Sequence, residues 1–217
     1  MAEAGPQQGI LGITGGIGAG KSLLGRILRE EQGWPLLDAD AMGHAALRPE
    51  SGLVPSLRAR FGPEILASDG AVRREKLAEI VFRDQTALRD LNALVHPWIH
   101  ARIGEEVAAL RSGGYADIIS LDAALLLDWL DRIRVDWIVV VIAPEKARLR
   151  RLAERGLSGD EIRRRRQRQP GDAEFRARAH WVVENGGSLE DLREASRALA
   201  REVRRLGLGG DIGRRKG

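Results

Sequence analysis

The stretch of sequence that decides the fold reads Ile10-Leu-Gly-Ile-Thr-Gly-Gly-Ile-Gly-Ala-Gly-Lys-Ser22, an apolar run followed by a glycine-rich turn, a lysine and a serine. Gly15, Gly20, Lys21 and Ser22 fit G-x-x-x-x-G-K-[ST], the pattern of a nucleotide phosphate-binding loop. Glycines let backbone N–H groups surround a phosphate chain, and the helix that follows directs its positive end at the same anion. A turn that merely joins a strand to a helix is the alternative, but the apolar run before the loop and the helical pattern after it are the required setting.

Each loop residue has an expected contact. In this motif the lysine reaches the β- and γ-phosphates of a nucleoside triphosphate, and the hydroxyl holds Mg²⁺. We therefore expect ATP and Mg²⁺ as cofactors, with Ser22 as the metal ligand. The predicted nucleotide-binding residues of the loop are Gly15, Gly16, Ile17, Gly18, Ala19, Gly20, Lys21, Ser22 and Leu23.

The composition bounds the class of protein. A chain of 217 residues with 43% hydrophobic residues can bury the core of one large domain, with or without an inserted subdomain. No apolar run has the length of a membrane span and the first eight residues do not resemble a signal peptide, so we expect no membrane as partner. Because the chain has no cysteine, disulfides and thiolate metal sites are excluded, and a cytoplasmic location is expected.

The charge balance decides little about partners. The formal charge of +4 comes from 35 basic and 31 acidic residues, and the basic ones are mostly arginine, which suits phosphate contacts in small molecules and in nucleic acids alike. No aromatic stacking pattern accompanies the arginines, so we do not expect nucleic acid as a partner. The four histidines show no metal-ligand spacing.

Hydrophobic periodicity predicts alternating strands and helices. We expect strands at 9–13, 35–38, 116–121, 137–142 and 181–183, and helices at 21–32, 144–169 and 188–206, with mostly helical structure from 44 to 114 and a helix break at His96-Pro97. This alternation predicts an α/β fold: a P-loop NTPase three-layer fold with a parallel sheet, a helical substrate-binding insertion and an Arg-rich lid.

The expected domain organisation follows from these elements. We expect residues 9–206 to form a single P-loop domain, with a core at 9–43 and 115–206, a helical substrate subdomain at about 44–114 and a lid at about 146–170. We expect residues 1–8 to be disordered and the glycine-rich, basic residues 207–217 to form a flexible tail.

Two aspartates follow the second predicted strand, at the sheet edge where ligands bind in open α/β sheets. Asp40 could accept the proton of an acceptor hydroxyl or help order Mg²⁺ through water. The alternative is that Asp38 or Asp40 caps the helix that begins near Ala41, a common use of aspartate, and Asp40 could do both.

Arginines crowd the helix predicted after 144. Arg148, Arg151 and Arg155 are three and four residues apart, so they share one face that could stabilise charge on a transferring phosphate. The alternative is a solvated face that pairs with neighbouring acids. His96 lies at the predicted helix break, where a histidine serves either structure or catalysis.

Taken together, these segments resemble the dephospho-CoA kinases, which use ATP to phosphorylate the ribose 3′-hydroxyl of dephospho-CoA and so produce coenzyme A. The resemblance runs from about 10 to 199. It rests on the loop and on Leu37-Asp-Ala-Asp40, Phe61-Gly-Pro-Glu-Ile-Leu66, Asp69-Gly-Ala-Val-Arg-Arg74, Val95-His-Pro97, Arg151-Leu152, Arg155-Gly156, Gln169 and Asn185-Gly186, in the order of the family.

The resemblance implies a role for each matching residue. Asp40 is the acceptor-activating aspartate, Lys21 the phosphate lysine and Arg151 the lid arginine nearest the transferring phosphate. The substrate-binding residues would be Asp40, Arg74, His96 and Leu125, and the lid and nucleotide side would include Arg155, Arg165 and Asn185. The implied partners are dephospho-CoA and ATP, with a monomer favoured.

Three departures from the family pattern accompany the resemblance. Ala124-Leu-Leu-Leu-Asp128 replaces the usual P-L-L-[FV]-E beside the acceptor pocket, Ala179-His180 replaces A-D, and His44 stands where arginine is common. Two other hypotheses therefore stay open: another small-molecule kinase with a nucleoside or nucleotide acceptor, and a nucleotide-binding homologue with weak or no catalysis.

Overall fold

The computed structural model describes residues 8–159, 162–163 and 169–207. Apart from residues 8 and 207, the predicted disordered start and basic tail lie outside these ranges. So do Arg165 and several other residues of the predicted lid. None of the described helices is both long enough and apolar enough to cross a membrane.

Five strands and eight helices lie wholly within the described residues. The strands are β1 (Gly9–Thr14), β2 (Leu36–Asp38), β3 (Ile118–Asp122), β4 (Trp137–Ile142) and β5 (Trp181–Glu184). The helices are α1 (Lys21–Gln32), α2 (Ala39–Ala45), α3 (Val54–Phe61), α4 (Arg74–Arg83), α5 (Gln85–Ser112), α6 (Glu145–Glu154), α7 (Asp172–Arg178) and α8 (Leu189–Gly207).

The five strands form one sheet in the order β2-β3-β1-β4-β5, and β1 pairs in parallel with both β3 and β4. The register opposes Ile13 to Asp122, so the loop after β1 and the carboxyl end of β3 meet at one edge of the sheet. The predicted α/β fold with a parallel sheet and flanking helices is thereby confirmed.

Side-chain alternation along β1 explains how the sheet is covered. Leu11 and Ile13 are fully buried in one apolar cluster with residues of α1 and α8, including Leu24, Ile27, Leu28, Leu192, Leu199 and Val203. Gly12 points to the opposite face, where an added Cβ would lie 2.4 Å from the Leu126 side chain. Glycine in the middle of this strand is therefore a packing requirement.

The helix after the loop begins and ends where the sequence predicts, at Lys21 and Gln32. Its end is set by Gly33, which has φ of 72° and donates its N–H to the Arg29 carbonyl. This left-handed glycine is a common helix terminator because a side chain there is strained.

Contacts divide the chain into two compact units. The core unit runs to Leu37 and resumes at Gly114, and the helical unit spans Asp38–Gly113. The predicted core extended to residue 43, whereas α2 belongs to the helical unit because it packs against α5. The helical unit has its own apolar cluster, made of Leu57, Phe61, Ile65, Val72, Leu77, Val81 and Ala87.

The predicted helix break at His96-Pro97 is wrong, since α5 continues through both residues. Proline removes one backbone hydrogen bond, and its ring opposes the preceding turn. Here Pro97 is exposed, while Val95, Ile99 and Ile103 are buried on another face of the helix. Packing of that face therefore outweighs the local cost.

The predicted helix over 144–169 is also wrong in its length. α6 ends at Glu154, and Gly156 has φ of 77°. Leu157 donates its N–H back to the carbonyl of Leu152, and Gly156 donates to that of Ala153, so the end closes as a Schellman motif.

Candidate active site

The loop between β1 and α1 has a backbone that only glycine adopts readily. Gly15, Gly18 and Gly20 have φ of 141°, 76° and 104°. A Cβ on Gly15 would lie 2.2 Å from the Val141 carbonyl oxygen, so space as well as conformation demands glycine there. These residues keep the chain close to the sheet edge and leave the loop backbone without intervening side chains.

The N-terminus of α1 is suited to an anion. Gly20 caps this 12-residue helix without a side-chain hydrogen bond, and its first turn holds no acidic residue. The partial positive charge of the helix end is therefore not compensated by a carboxylate of its own first turn. Lys21 adds a full charge to the loop, where its Nζ donates to the Gly15 carbonyl oxygen at 3.0 Å. Together these groups fit a polyphosphate.

An aspartate that the sequence analysis did not single out lies beside the predicted metal ligand. Ser22 Oγ donates to Asp122 Oδ2 at 2.6 Å, and Asp122 is only 5% exposed at the end of β3. A carboxylate at the end of a buried strand is the same signal that identified Asp38 and Asp40, so the residue was within reach of sequence reasoning.

The Ser22 hydroxyl and the Asp122 carboxylate are the hard oxygen donors that Mg²⁺ prefers. No group of three or more His, Cys, Asp or Glu side chains that could hold a metal occurs among the described residues. A magnesium site with few protein ligands is typical of nucleotide enzymes, because phosphates and water supply the rest. The two residues therefore fit a magnesium ion that binds together with a nucleotide.

Arg151 lies against the loop, on its carbonyl side. Its guanidinium donates to the carbonyl oxygens of Gly18 and Ala19 at 3.4 and 3.3 Å, and to the backbone and side-chain oxygens of Asn185 at 3.0 and 3.3 Å. Burial lowers the pKa of Arg151 from its usual value, and the neighbouring charges of Arg150 and Arg155 act in the same direction. Asn185 is 3% exposed, and its Nδ2 donates to the Ala19 carbonyl at 2.7 Å.

The other two arginines of the predicted face differ. Arg148 reaches the loop, since a Cβ on Gly16 would lie 2.7 Å from its Nη1, and it forms a bidentate ion pair with Asp172 at 3.0 and 3.2 Å. Arg155 is exposed at the end of α6. Two of the three arginines therefore meet the loop, and the third caps the end of the helix.

Gln169 supplies a further contact from the far side of the predicted lid. Its Oε1 accepts the backbone N–H of Ile17 at 2.7 Å. Along with Arg148, Arg151 and Asn185, it brings side chains distant in sequence onto the loop.

The two aspartates after β2 have different surroundings within the helical unit. Asp38 Oδ1 accepts the N–H of Ala41 at 2.9 Å and caps α2, which begins at Ala39. Asp40 lies in the first turn of that helix and is exposed. The capping role left open by the sequence therefore belongs to Asp38.

The remaining predicted substrate residues of the helical unit are Arg74 and His96. Arg74 Nη2 lies 2.7 Å from His44 Nε2, with both residues exposed. A guanidinium can only donate, so Nε2 of His44 is the acceptor in this contact. His96 is partly buried on α5, with its ring centroid 6.2 Å from that of His100.

Leu125 and the unusual segment around it belong to the core unit. Leu126 and Leu127 are buried in a short 3-10 turn, Leu125 is partly buried before it, and Asp128 is exposed. Arg178 donates to the Leu127 carbonyl at 2.6 Å and so ties this segment to α7.

His180 stands where the pattern described above has an aspartate, and it too serves as a hydrogen-bond acceptor. Its Nδ1 accepts the Ile138 N–H at 2.9 Å, and its own backbone N–H donates to the Ile138 carbonyl at 2.9 Å. Burial lowers the pKa of His180, in keeping with a neutral ring that accepts a hydrogen bond.

Comparisons with known proteins identify the family. The family model described as dephospho-CoA kinase matches residues 9–191. The dephospho-CoA kinase of Corynebacterium diphtheriae is 36% identical over 191 residues, which cover 88% of this chain and 94% of the relative. That of Thermus thermophilus is 38% identical over 195 residues, covering 89% and 91% of the two chains.

Solved structures agree with this result. The crystal structure of TT1252 from Thermus thermophilus is similar with a TM-score of 0.75 and 38% identity, covering 89% of this chain and 97% of the other. The dephospho-CoA kinase from Campylobacter jejuni, with 22% identity and a TM-score of 0.63, covers 91% and 98% and shares the fold. The chain described here therefore belongs to the dephospho-CoA kinase family.

Proposed function

We propose that this protein transfers the γ-phosphate of ATP to the ribose 3′-hydroxyl of dephospho-CoA, giving coenzyme A and ADP. The observation that carries the proposal is the geometry of the phosphate loop. Lys21 contacts the Gly15 carbonyl of the loop, and Ser22 is hydrogen-bonded to Asp122. Membership of the dephospho-CoA kinase family supplies the acceptor. The alternative of a different nucleoside or nucleotide acceptor has no comparable support.

The core unit would bind the nucleotide. Backbone N–H groups of the loop and the N-terminus of α1 would surround the triphosphate, and Lys21 would balance the charge of its β- and γ-phosphates. Ser22 and Asp122 would hold Mg²⁺, which supplies charge neutralisation for the phosphoryl group when it is bound. We include Arg151, Arg155 and Asn185 on this side.

The helical unit would receive the acceptor. Asp40 would take the proton of the 3′-hydroxyl while that oxygen bonds to the γ-phosphorus and the bond to the ADP oxygen breaks. Because Asp38 already supplies the cap of α2, the helix does not require the Asp40 carboxylate. We also propose Arg74 and His96, with Leu125 of the core unit, as acceptor-binding residues, and residues 146–170 as the lid.

Turnover with defined substrates tests the proposal. Pure protein incubated with ATP, Mg²⁺ and dephospho-CoA should form coenzyme A, measured by chromatography. Lys21→Met should abolish most of this turnover. The control Lys76→Met should retain it, because Lys76 is a partly exposed lysine that pairs with Glu79. Phosphorylation of another nucleoside in place of dephospho-CoA, or ATP binding without product, would reject the proposed reaction.

The metal assignment has its own test. Asp122→Asn should raise the Mg²⁺ concentration needed for half-maximal activity by roughly 10- to 100-fold, the usual effect of changing a group that orients a metal ligand. Asp131→Asn is the matched control, because Asp131 is exposed and pairs only with its neighbour Arg132 among the contacts described. An unchanged magnesium dependence in Asp122→Asn would remove Asp122 from the proposed site.

The cytoplasmic location and the monomeric state stay predictions from the sequence.

A further inference from the structure

The phosphate loop is held from its carbonyl side by two residues that come from different parts of the chain. The carbonyl oxygen of Ala19 accepts from Asn185 Nδ2 at 2.7 Å and from Arg151 Nη1 at 3.3 Å, and that of Gly18 accepts from Arg151 at 3.4 Å. Arg151 lies on α6, and Asn185 directly follows β5. The two peptide groups at the end of the loop are thus bound by side chains more than a hundred residues away.

The two side chains also bind one another. Arg151 Nη2 donates to the backbone oxygen of Asn185 at 3.0 Å and to its side-chain oxygen at 3.3 Å. That second bond orients the Asn185 amide, so that its Nδ2 is the end presented to Ala19. The Asn185 backbone N–H is in turn tied to the Ile142 carbonyl at 2.7 Å, at the end of β4. The pair is therefore anchored to the sheet.

The geometry of the peptide group relates the bound carbonyl to the N–H group on the other side of the loop. In a trans peptide the C=O and N–H groups point in opposite directions within one plane. The Ala19 carbonyl shares its peptide group with the Gly20 N–H, so donors that hold the carbonyl from one side direct this N–H to the opposite side. Backbone N–H groups are the ligands that a phosphate loop offers. Fixing the carbonyl therefore fixes a phosphate donor.

The space around Gly20 shows how closely the pair is fitted to the loop. A Cβ on Gly20 would lie 2.1 Å from Asn185 Nδ2 and 3.8 Å from Arg151 Nη1. Gly20 thus needs to be glycine for two reasons, its φ of 104° and the close approach of Asn185.

Arg151 differs from its helix neighbours in the kind of partner it takes. Arg148 pairs with the carboxylate of Asp172, and Arg150 pairs with Glu154. The hydrogen bonds of Arg151 among the described residues go to uncharged oxygens of the loop and of Asn185. Arg151 is only partly buried, and these hydrogen bonds are made to the loop and to Asn185 instead of to a carboxylate, which distinguishes it from the other arginines of α6.

We propose that Arg151 and Asn185 act as one positioning unit, which holds the carbonyl side of the loop at Gly18 and Ala19 so that the Gly20 N–H is oriented for the triphosphate. This proposal rests on ATP being the ligand of the loop. It differs from a lid arginine on the transferring phosphate, because the pair acts through the backbone. We therefore expect loss of the pair to weaken the binding of ATP, and not only to slow the transfer of the phosphate.

Direct binding measurements test the proposal without the acceptor. Isothermal titration of Mg²⁺-ATP should show affinity weakened roughly 10- to 100-fold in Arg151→Met and in Asn185→Ala, the range expected for losing hydrogen bonds to a charged group. Arg150→Met is the matched control and should bind as the wild type, because Arg150 is the next residue on the same helix and its side chain is 72% exposed.

The double variant separates one unit from two independent residues. If the pair acts as a unit, Arg151→Met combined with Asn185→Ala should weaken binding hardly more than the worse single change, because the first substitution already releases the loop. Effects that multiply would overturn the proposal. So would wild-type ATP affinity in both single variants, with only kcat lowered in Arg151→Met.

Conservative variants keep the proposal testable if the large truncations prevent folding. Arg151→Lys retains the charge but not the planar fork that reaches both Ala19 and Asn185, so ATP affinity should recover only in part. Asn185→Asp removes the Nδ2 donor while keeping an acceptor for Arg151, and it should weaken ATP binding as Asn185→Ala does. Full recovery in Arg151→Lys, or wild-type affinity in Asn185→Asp, would contradict the positioning role.

Steady-state kinetics distinguish failure of this proposal from failure of the proposed reaction. The variants should raise KM for ATP and leave KM for dephospho-CoA near the wild-type value. Wild-type protein that binds ATP but does not phosphorylate dephospho-CoA would reject the reaction alone. Normal turnover of dephospho-CoA together with unaltered ATP affinity in the variants would reject the positioning unit alone.

Discussion

The phosphate loop of the core unit and the helical unit are specified in opposite ways. The loop has glycines at positive φ and is contacted by Arg148, Arg151 and Asn185 from distant parts of the chain. In the helical unit, Asp40, His44 and Arg74 are exposed, and the hydrogen bond between His44 and Arg74 joins two surface side chains. One region is built by close contacts on the backbone, the other by an apolar cluster that carries polar groups on its surface.

This difference predicts which properties of the protein a substitution in each region should change. A change in the loop alters a backbone that many groups contact, so conformation and ligand binding change together. A change at an exposed polar residue of the helical unit that supports neither a helix cap nor a turn should leave the fold intact and report on chemistry. The four experiments below test this contrast.

The largest effect is expected at an exposed residue of the helical unit. Asp40→Ala should lower kcat by roughly 100-fold or more, the usual contribution of a general base, with little change in thermal stability. Asp38→Ala should do the reverse and lower stability by about 1 kcal/mol, because it removes the cap of α2. Turnover assays and thermal melts of both variants are the measurement. Near-normal kcat in Asp40→Ala would withdraw Asp40 from catalysis.

Two glycines compare the regions directly. Gly20→Ala should weaken ATP binding at least tenfold for two reasons. The new Cβ would clash with Asn185, and the φ of this residue is unfavourable for alanine. Gly52 in the helical unit has φ of 74°, and apart from its chain neighbours no heavy atom of the described residues lies within 4 Å of an added Cβ. Gly52→Ala should therefore cost only about 1–2 kcal/mol of stability and leave ATP affinity unchanged. Calorimetry on both variants decides, and equal losses of affinity would contradict the contrast.

Pro97 tests how the helical unit tolerates a local misfit. Pro97→Ala restores a backbone donor within α5 and should stabilise the protein by about 1 kcal/mol or more, offset in part by greater freedom of the unfolded chain. Pro55→Ala is the control, since Pro55 lies in the first turn of α3, where proline is favourable. Chemical denaturation measures both. A destabilised Pro97→Ala would mean that the proline itself is part of the packing.

The smallest effect is expected at His180 of the core unit. Folding lowers the pKa of His180, so the unfolded chain binds its proton at a higher pH than the folded protein does. The contribution of His180 to the free energy of unfolding is fully present above about pH 6.5 and is lost as the pH falls below that value. The melting temperature of the wild type should therefore fall more steeply from pH 7 to 5 than that of His180→Asn, whose amide oxygen can still accept the Ile138 N–H. Parallel pH profiles would contradict this account.

How much of the site could be predicted depended on whether the signal was local. The strand–loop–helix pattern located Gly15 to Ser22, and the end of α1 at Gln32 followed from Gly33. Asp122 carried the same signal as Asp40, a carboxylate after an apolar strand, but its meaning became clear only through the 2.6 Å contact with Ser22. Arg148 and Arg151 lie within α6 as the spacing predicts, and Arg155 is the exposed residue that caps the end of this helix.

By itself the sequence determined the phosphate loop, the α/β class and the family, because each of these depends on residue types at fixed short spacings. The tertiary structure alone decided that α5 passes through Pro97 and that Arg151 and Asn185 meet behind the loop. Those outcomes depend on which surfaces become buried and on contacts between residues far apart in the chain. Such contacts exist only after the strands have paired and the helices have packed, and no local pattern encodes them.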